Sequence, residues 1–147
     1  MKVGKLIMML VCLLATTNLF AQSHSDDIIG IWETEDKDGR MEIYKCEDKY
    51  CGKLLWGKDI VEEDGVTSKK DVNNPDDDLK SRDLVGITNL IGLKYKKNGE
   101  YTEGEIYDAN SGKMYSCLIK LKGGDMHMRG YIGVPLLGQT VIWKRIK

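Results

Sequence analysis

The sequence predicts an all-β protein, eight short antiparallel strands in up-and-down order closed into a barrel. Three observations carry this. Apolar and polar residues alternate in run after run between Ile28 and Ile146, as they do in strands with one buried face. Tight-turn sequences separate the runs, among them Lys37-Asp38-Gly39, Lys97-Asn98-Gly99-Glu100 and Gly123-Gly124-Asp125, where glycine or asparagine takes positive φ at little cost. Finally, hairpin-linked strands in this number leave exposed edges unless the sheet closes on itself. A barrel of this size has an interior filled by side chains or wide enough for one small ligand.

The chain opens MKVGKLIMMLVCLLATTNLFAQS. Lys2 and Lys5 precede an apolar run from Leu6 to Ala15, and Leu19-Phe20-Ala21 places a small residue before Gln22. This predicts a signal peptide over residues 1–21 and an exported protein, periplasmic or secreted. The apolar run is too short for a membrane span, and no later segment reaches the length of one. Residues 22–27, QSHSDD, read as a flexible N-terminal segment. Residues 28–147 then form a single barrel domain.

The first strand is expected over Ile28–Glu35, centred on Gly30-Ile31-Trp32. The second is Arg40–Cys46, with Met41 and Ile43 on one face and Glu42 and Tyr44 on the other. The third is Tyr50–Trp56. Strands four to eight follow as Gly86–Lys96, bent at Gly92, then Tyr101–Tyr107, Lys113–Lys122, Met126–Ile132 and Gln139–Ile146. Strand six places Tyr115, Cys117, Ile119 and Leu121 on one face.

Between strands three and four the pattern breaks. The stretch Asp71–Gly86, DVNNPDDDLKSRDLVG, gathers acids, amides, a proline and an arginine without strand period. Asn74 before Pro75 reads as a helix cap followed by proline at the first helical position. Asp76, Asp77 and Asp78 suit the positive end of a helix dipole. One short helix running to about Arg82 is expected.

Composition narrows the function. The chain carries 22 Lys and Arg against 23 Asp and Glu, and the leader contributes only lysines, so the remainder is more acidic still. Nothing here favours nucleic acid or an anionic membrane surface. Cys46 and Cys51 flank Glu47-Asp48-Lys49-Tyr50, read as a hairpin loop. In that register they could face each other and form a disulfide. Zinc fits poorly, because C-x4-C lacks a second ligand pair and only His24 and His127 are at hand. Cys117 is left over as a buried thiol.

Two groups of residues are candidates for a site, since a polar insertion on a strand scaffold is a usual place for one. In the first, Asp71, Asn73, Asn74 and Asp76 could converge oxygens on a hard cation or, with Arg82, form a ligand-binding lid. Calcium wants roughly six to eight oxygens and a flexible loop, and Pro75 sits where that flexibility is needed, so no metal is assigned. The structural alternative has Asn74 capping the helix, the other aspartates solvated, and Asp71 or Asp83 paired with Arg82. The second group is Tyr107, Asp108, Lys113, Tyr115 and Arg129, able to hold a carboxylate or phosphate through a bidentate arginine. Its structural alternative has Asp108 and Asn110 bonding their own turn. If Met126 and Met128 face the core, Arg129 points to solvent and that ligand set weakens. His127 reads as exposed, Trp32, Trp56 and Trp143 as core residues, and Ser111 and Ser116 lie in no nucleophile motif. No catalytic residue and no cofactor is assigned.

Gly30-x-Trp32, the cysteines of CEDKYCGKLLW, DVNNPDDDLKSRDLVGI, GEIYDANSGKMY and MRGYIGVPLLGQTVIWKR together resemble the bacterial exported family catalogued as domain of unknown function 2147. The resemblance spans Gly30 to Arg145. It implies a lipocalin-like antiparallel barrel and supplies no activity. Gly-x-Trp near the start with an arginine in a late strand is also similar to lipocalins proper, and Cys117 stands where the family pattern leads one to expect a small residue such as alanine. The leading expectation is therefore a module binding a small or amphiphilic, lipid-like ligand at a barrel mouth covered by Asp71–Gly86. The alternatives are an envelope interaction or structural protein using the apolar turn Val134-Pro135-Leu136-Leu137 against a protein partner, and an enzyme of unassigned reaction.

Overall fold

The computed structural model describes residues 24–147, so the expected signal peptide lies outside the described residues. Eight strands follow one another as β1 (Gly30–Thr34), β2 (Gly39–Cys46), β3 (Lys49–Gly57), β4 (Thr88–Lys97), β5 (Glu100–Asp108), β6 (Lys113–Lys122), β7 (Asp125–Tyr131) and β8 (Gln139–Arg145). Each pairs antiparallel with the next, and β8 returns to β1 to close the barrel. Every strand expected from the alternation is present within two residues of its expected ends.

Local chemistry explains the turns. Asn98 and Gly99 sit at φ 49° and 73°, and Lys97 pairs with Glu100 across them. Both central residues are left-handed, as a two-residue hairpin turn that matches strand twist requires. The bend expected at Gly92 is present too, with φ 76°. Inside, Gly104 leaves room for Leu93, whose Cδ2 would lie 2.6 Å from a Cβ there.

The interior is not filled evenly. The end holding the β2–β3, β4–β5 and β6–β7 turns is packed solid with Trp32, Met41, Ile43, Tyr50, Leu90, Leu93, Tyr101, Cys117, Ile119 and Met126. Over it lies a single 3-10 turn, Ser25–Ile28. Of the segment 22–27 expected to be flexible, residues 24–27 are described, and they are bonded to the barrel. The Trp32 indole donates to the Ile28 carbonyl at 2.9 Å, and the hydroxyls of Tyr50 and Tyr101 donate to the Asp26 carboxylate and the Ser25 carbonyl. The Arg145 guanidinium lies 4.2 Å from the Trp32 ring centre and donates to the carbonyls of Asp27 and Ile29. These main-chain acceptors give the segment its hold, and Ile28 is fully buried.

Cys46 and Cys51 form the expected disulfide, with Cα atoms 5.9 Å apart. The register differs from the expected one. Cys46 pairs with Lys49 and Tyr44 with Cys51, around a two-residue turn at Glu47-Asp48. The bridge is thus diagonal on one face rather than straight across. Closing so short a loop stabilises by about 2 kcal/mol in the chain-entropy model. The double variant Cys46→Ser, Cys51→Ser is expected to lose about that much in urea unfolding, with an m-value slightly raised because the unfolded chain is no longer cross-linked.

The long β3–β4 connection is folded. Bridges join Val61 to Ser68 and Lys70 to Asp83, and Ile60, Val61 and Leu84 pack with Leu54, Trp56 and Ala109 as a small second core. Its helix is shorter than expected. One 3-10 turn spans Asp77–Leu79, capped by Asp76, whose carboxylate accepts from the Asp78 amide. Asn74 instead accepts from the Asp76 amide, so the Asn-Pro pair makes an Asx turn ahead of the helix rather than its cap.

The candidate functional site: a hollow open end

The opposite end of the barrel is hollow. Thr34 and Trp143 mark the floor, and two adjoining cavities rise from it. The first, about 590 Å³, lies among the ends of β1, β3, β4, β5 and β8, between Leu54, Trp56, Asn89, Tyr107 and Trp143, with Glu35, Asp36, Asp38, Asp59 and Asp108 around its rim. The second, about 620 Å³, is bounded by Ile106, Tyr115, Met128, Gly130, Ile132, Leu137 and Val141. Asp108 and Val141 line both. At Gly130 the nearest side-chain atoms to a built Cβ are Ile106 Cγ2 and Tyr115 Cβ, at 3.9 and 4.0 Å, so this wall is open.

Residues 71–86 line neither cavity, which corrects the expected lid over the mouth. The segment docks beside the rim, on the outer wall. Asp71 is fully buried there and holds three partners. Its carboxylate accepts from the Tyr107 hydroxyl at 2.6 Å, the Asn74 amide at 2.8 Å and Arg82 Nε at 2.9 Å. Burial pushes the Asp71 carboxyl up, but the three donors outweigh it and hold it below the usual carboxylate range. Tyr107 is pushed up to about 12, by burial and by its bond to Asp71. Asn73 donates to the carbonyls of Ala109 and Asn110, tying the loop to the β5–β6 turn. Asp83 takes Lys70 as its ion-pair partner, not Arg82. A third, smaller hollow of about 320 Å³ lies between this loop and the wall, lined by Asn74, Pro75, Leu79, Arg82 and Met114. Asn89 and Tyr107 line both it and the first cavity.

The sequence-derived groups are therefore redistributed. Asp71, Asn74 and Arg82 do come together, and Tyr107 joins them instead of the set with Lys113 and Arg129. The reason is facing: Tyr107 pairs with Met114, and Ile106 with Tyr115, so the two tyrosines point to opposite sides of the sheet. Tyr115 lines the second cavity. Lys113 is exposed at the turn, opposite Asp108. Met126 and Met128 face inward, so Arg129 faces out, where it donates to Thr140 Oγ1 and the carbonyls of Pro135 and Leu136. Asp108 accepts from the Asn110 amide and Ser111 hydroxyl of its own turn. His127 faces outward with Arg129 and is half-buried. Burial pushes the Cys117 thiol up to about 12, which leaves it protonated and unreactive at neutral pH.

Sequence reasoning missed Asn89, Asp36, Asp38 and Asp59 as rim or wall residues. Trp143 belongs to the buried core as expected, and it lines the first cavity as well. Trp143 lies on the inward parity of β8, one face with Val141, and that parity was readable. The inward reach of the acids was not, because turns have no period. Among the described residues no three His, Cys, Asp or Glu side chains converge to hold a metal ion.

A closed eight-stranded antiparallel barrel, plugged at one end and hollow at the other, is a lipocalin-like barrel. The chain belongs to the family described as an uncharacterized protein conserved in bacteria, DUF2147, which matches residues 30–145. Its fold is similar to that of protein HP1028 from the human pathogen Helicobacter pylori, described as belonging to the lipocalin family. That likeness has a TM-score of 0.73 and 25% identity over 82% of this chain and 83% of the other. No curated protein matches the chain.

Proposed function

We propose that this protein is an exported binding module that takes up a small amphiphilic molecule in the open end of its barrel. The observation that carries this is the pair of adjoining cavities above a solid floor, since pockets that bind organic ligands are concave, mostly apolar and few. The lipocalin-like fold supports a small ligand. The Cys46–Cys51 disulfide supports an oxidising compartment, in keeping with the signal peptide read from residues 1–21. Among the described residues no helix is long and apolar enough to cross a membrane.

Filling the second cavity tests the reading. Gly130→Trp puts a ring into open space on the inner wall, where β-propensity favours an aromatic. The neutral dye N-phenyl-1-naphthylamine is expected to brighten with the native protein and to bind at least about tenfold more weakly to the variant, while Tm stays within a few degrees. Equal binding by both proteins would place the dye elsewhere. A protein that takes up no dye at all would leave as the functional feature the β7–β8 turn, where Leu136 and Leu137 are 86% and 77% exposed. That turn suits an envelope partner instead.

A further inference from the structure

We infer that the first cavity selects a cationic head group, so that the ligand is an amine-bearing amphiphile with its apolar tail in the second cavity. This deepens the pocket reading above and rests on it. Among the described residues, neither cavity lining contains a lysine, arginine or histidine. The first carries Asp36, Asp38, Asp59 and Asp108, and none of these four is in an ion pair among the described residues. Low-dielectric walls beneath a rim of one sign concentrate the opposite charge.

Two further atoms point to a ligand independently of that rim. Asn89 Oδ1 and Trp143 Nε1 are buried with no hydrogen-bond partner among the described residues. Both belong to side chains that line this cavity and are only 6% and 7% exposed. Leaving such groups unpaired is costly, so native structures rarely do it without a bound partner. Asn89 Oδ1 can only accept, which suits an ammonium N–H. Trp143 Nε1–H can only donate, which suits a hydroxyl or carbonyl oxygen near that head. Trp143 adds an aromatic ring that can face a cation, whereas the Trp56 ring already has the Arg40 guanidinium over it at 5.8 Å. The acids surround the opening without converging as metal ligands, a spread that fits an organic cation larger than a metal ion. The second cavity, with Ile106, Met128, Leu137 and Val141, offers the apolar surface for a tail.

Three probes with one tail, each below its micelle concentration, test the inference by displacing N-phenyl-1-naphthylamine. These are dodecylamine, 1-dodecanol and dodecanoate at pH 7. Dodecylamine is expected to displace the dye at a concentration on the order of tenfold lower than dodecanoate, with dodecanol between them. The variant Asp36→Asn, Asp59→Asn should weaken dodecylamine by about fivefold and leave dodecanol unchanged. A matched variant away from the mouth, Asp48→Asn, Asp78→Asn, should alter neither, although it makes the same change in net charge. Equal affinity for the three head groups, or an equal effect of the two variants, overturns the cationic head while the pocket stands. Failure of all three probes and of the dye to bind removes the pocket and this inference together.

Discussion

Arg82→Ala is expected to cost about 3 kcal/mol of folding stability at pH 7, although Arg82 lies in a loop and its side chain is 34% exposed. The cost comes from what it leaves behind. Asp71 has no exposed side-chain area, so removing its cation strands a charge against Tyr107 and Asn74 on the outer wall. The Lys70–Asp83 pair in the same loop is the control. Both of its side chains are more than half exposed, and Lys70→Ala should cost well under about 1 kcal/mol. The pH dependence follows from the sign. The folded state holds the Asp71 carboxyl below its ordinary value. Its contribution is therefore complete above the unfolded value of about 3.9 and is lost as pH falls through the lower folded value. Urea unfolding at pH 7 and pH 3 should show the Arg82→Ala penalty shrink at the lower pH. Equal losses for the two variants at pH 7 would show that Asp71 is not held as a buried charge. Tyr107 gives the mirror case, with folded stability favoured below its unfolded pKa of about 10 and lost as pH rises toward about 12.

That network also shows where reading the sequence stops. Alternation and turn chemistry sufficed for the eight strands, since each signal acts over a few residues. Asp71 and Tyr107 are 36 positions apart, and nothing local tells Asp71 which strand it will meet. The facing of Tyr107 depends on β5 after Glu103, whose φ of 62° accompanies a register shift between Tyr101 and Gly104. A one-residue shift turns every later side chain to the other face, so Tyr107 could be assigned to the wrong group while strand five was assigned correctly. Arg129 was decidable, because Met126 and Met128 flank it in a regular strand. The acids of the mouth were visible as letters, but only closure of the barrel brings Asp36, Asp59 and Asp108 around one opening.

The closed end sets up the other large effect. Ile28→Ala is expected to cost about 3 kcal/mol, within the range of roughly 2–5 kcal/mol for truncating a buried aliphatic side chain. Ile28 is fully buried in the main core, on a 3-10 turn whose hold on the barrel is mostly through main-chain carbonyls. Loosening that turn takes partners from the Trp32 indole and the Tyr101 hydroxyl as well, and each buried donor left unpaired adds to the loss. An exposed neighbour provides the contrast. Ile29 is 37% exposed, and Ile29→Ala should cost less than about 1 kcal/mol. Urea midpoints of the two variants measure the difference, and similar values would mean that Ser25–Ile28 does not seal the barrel. The dye assay separates the two ends. With the floor between them intact, Ile28→Ala should lower stability and leave N-phenyl-1-naphthylamine affinity near native, whereas Gly130→Trp should do the reverse. A barrel closed below by a turn of polar sequence can hold its upper half open, because the stability that an empty cavity forgoes is supplied by the packed half beneath it.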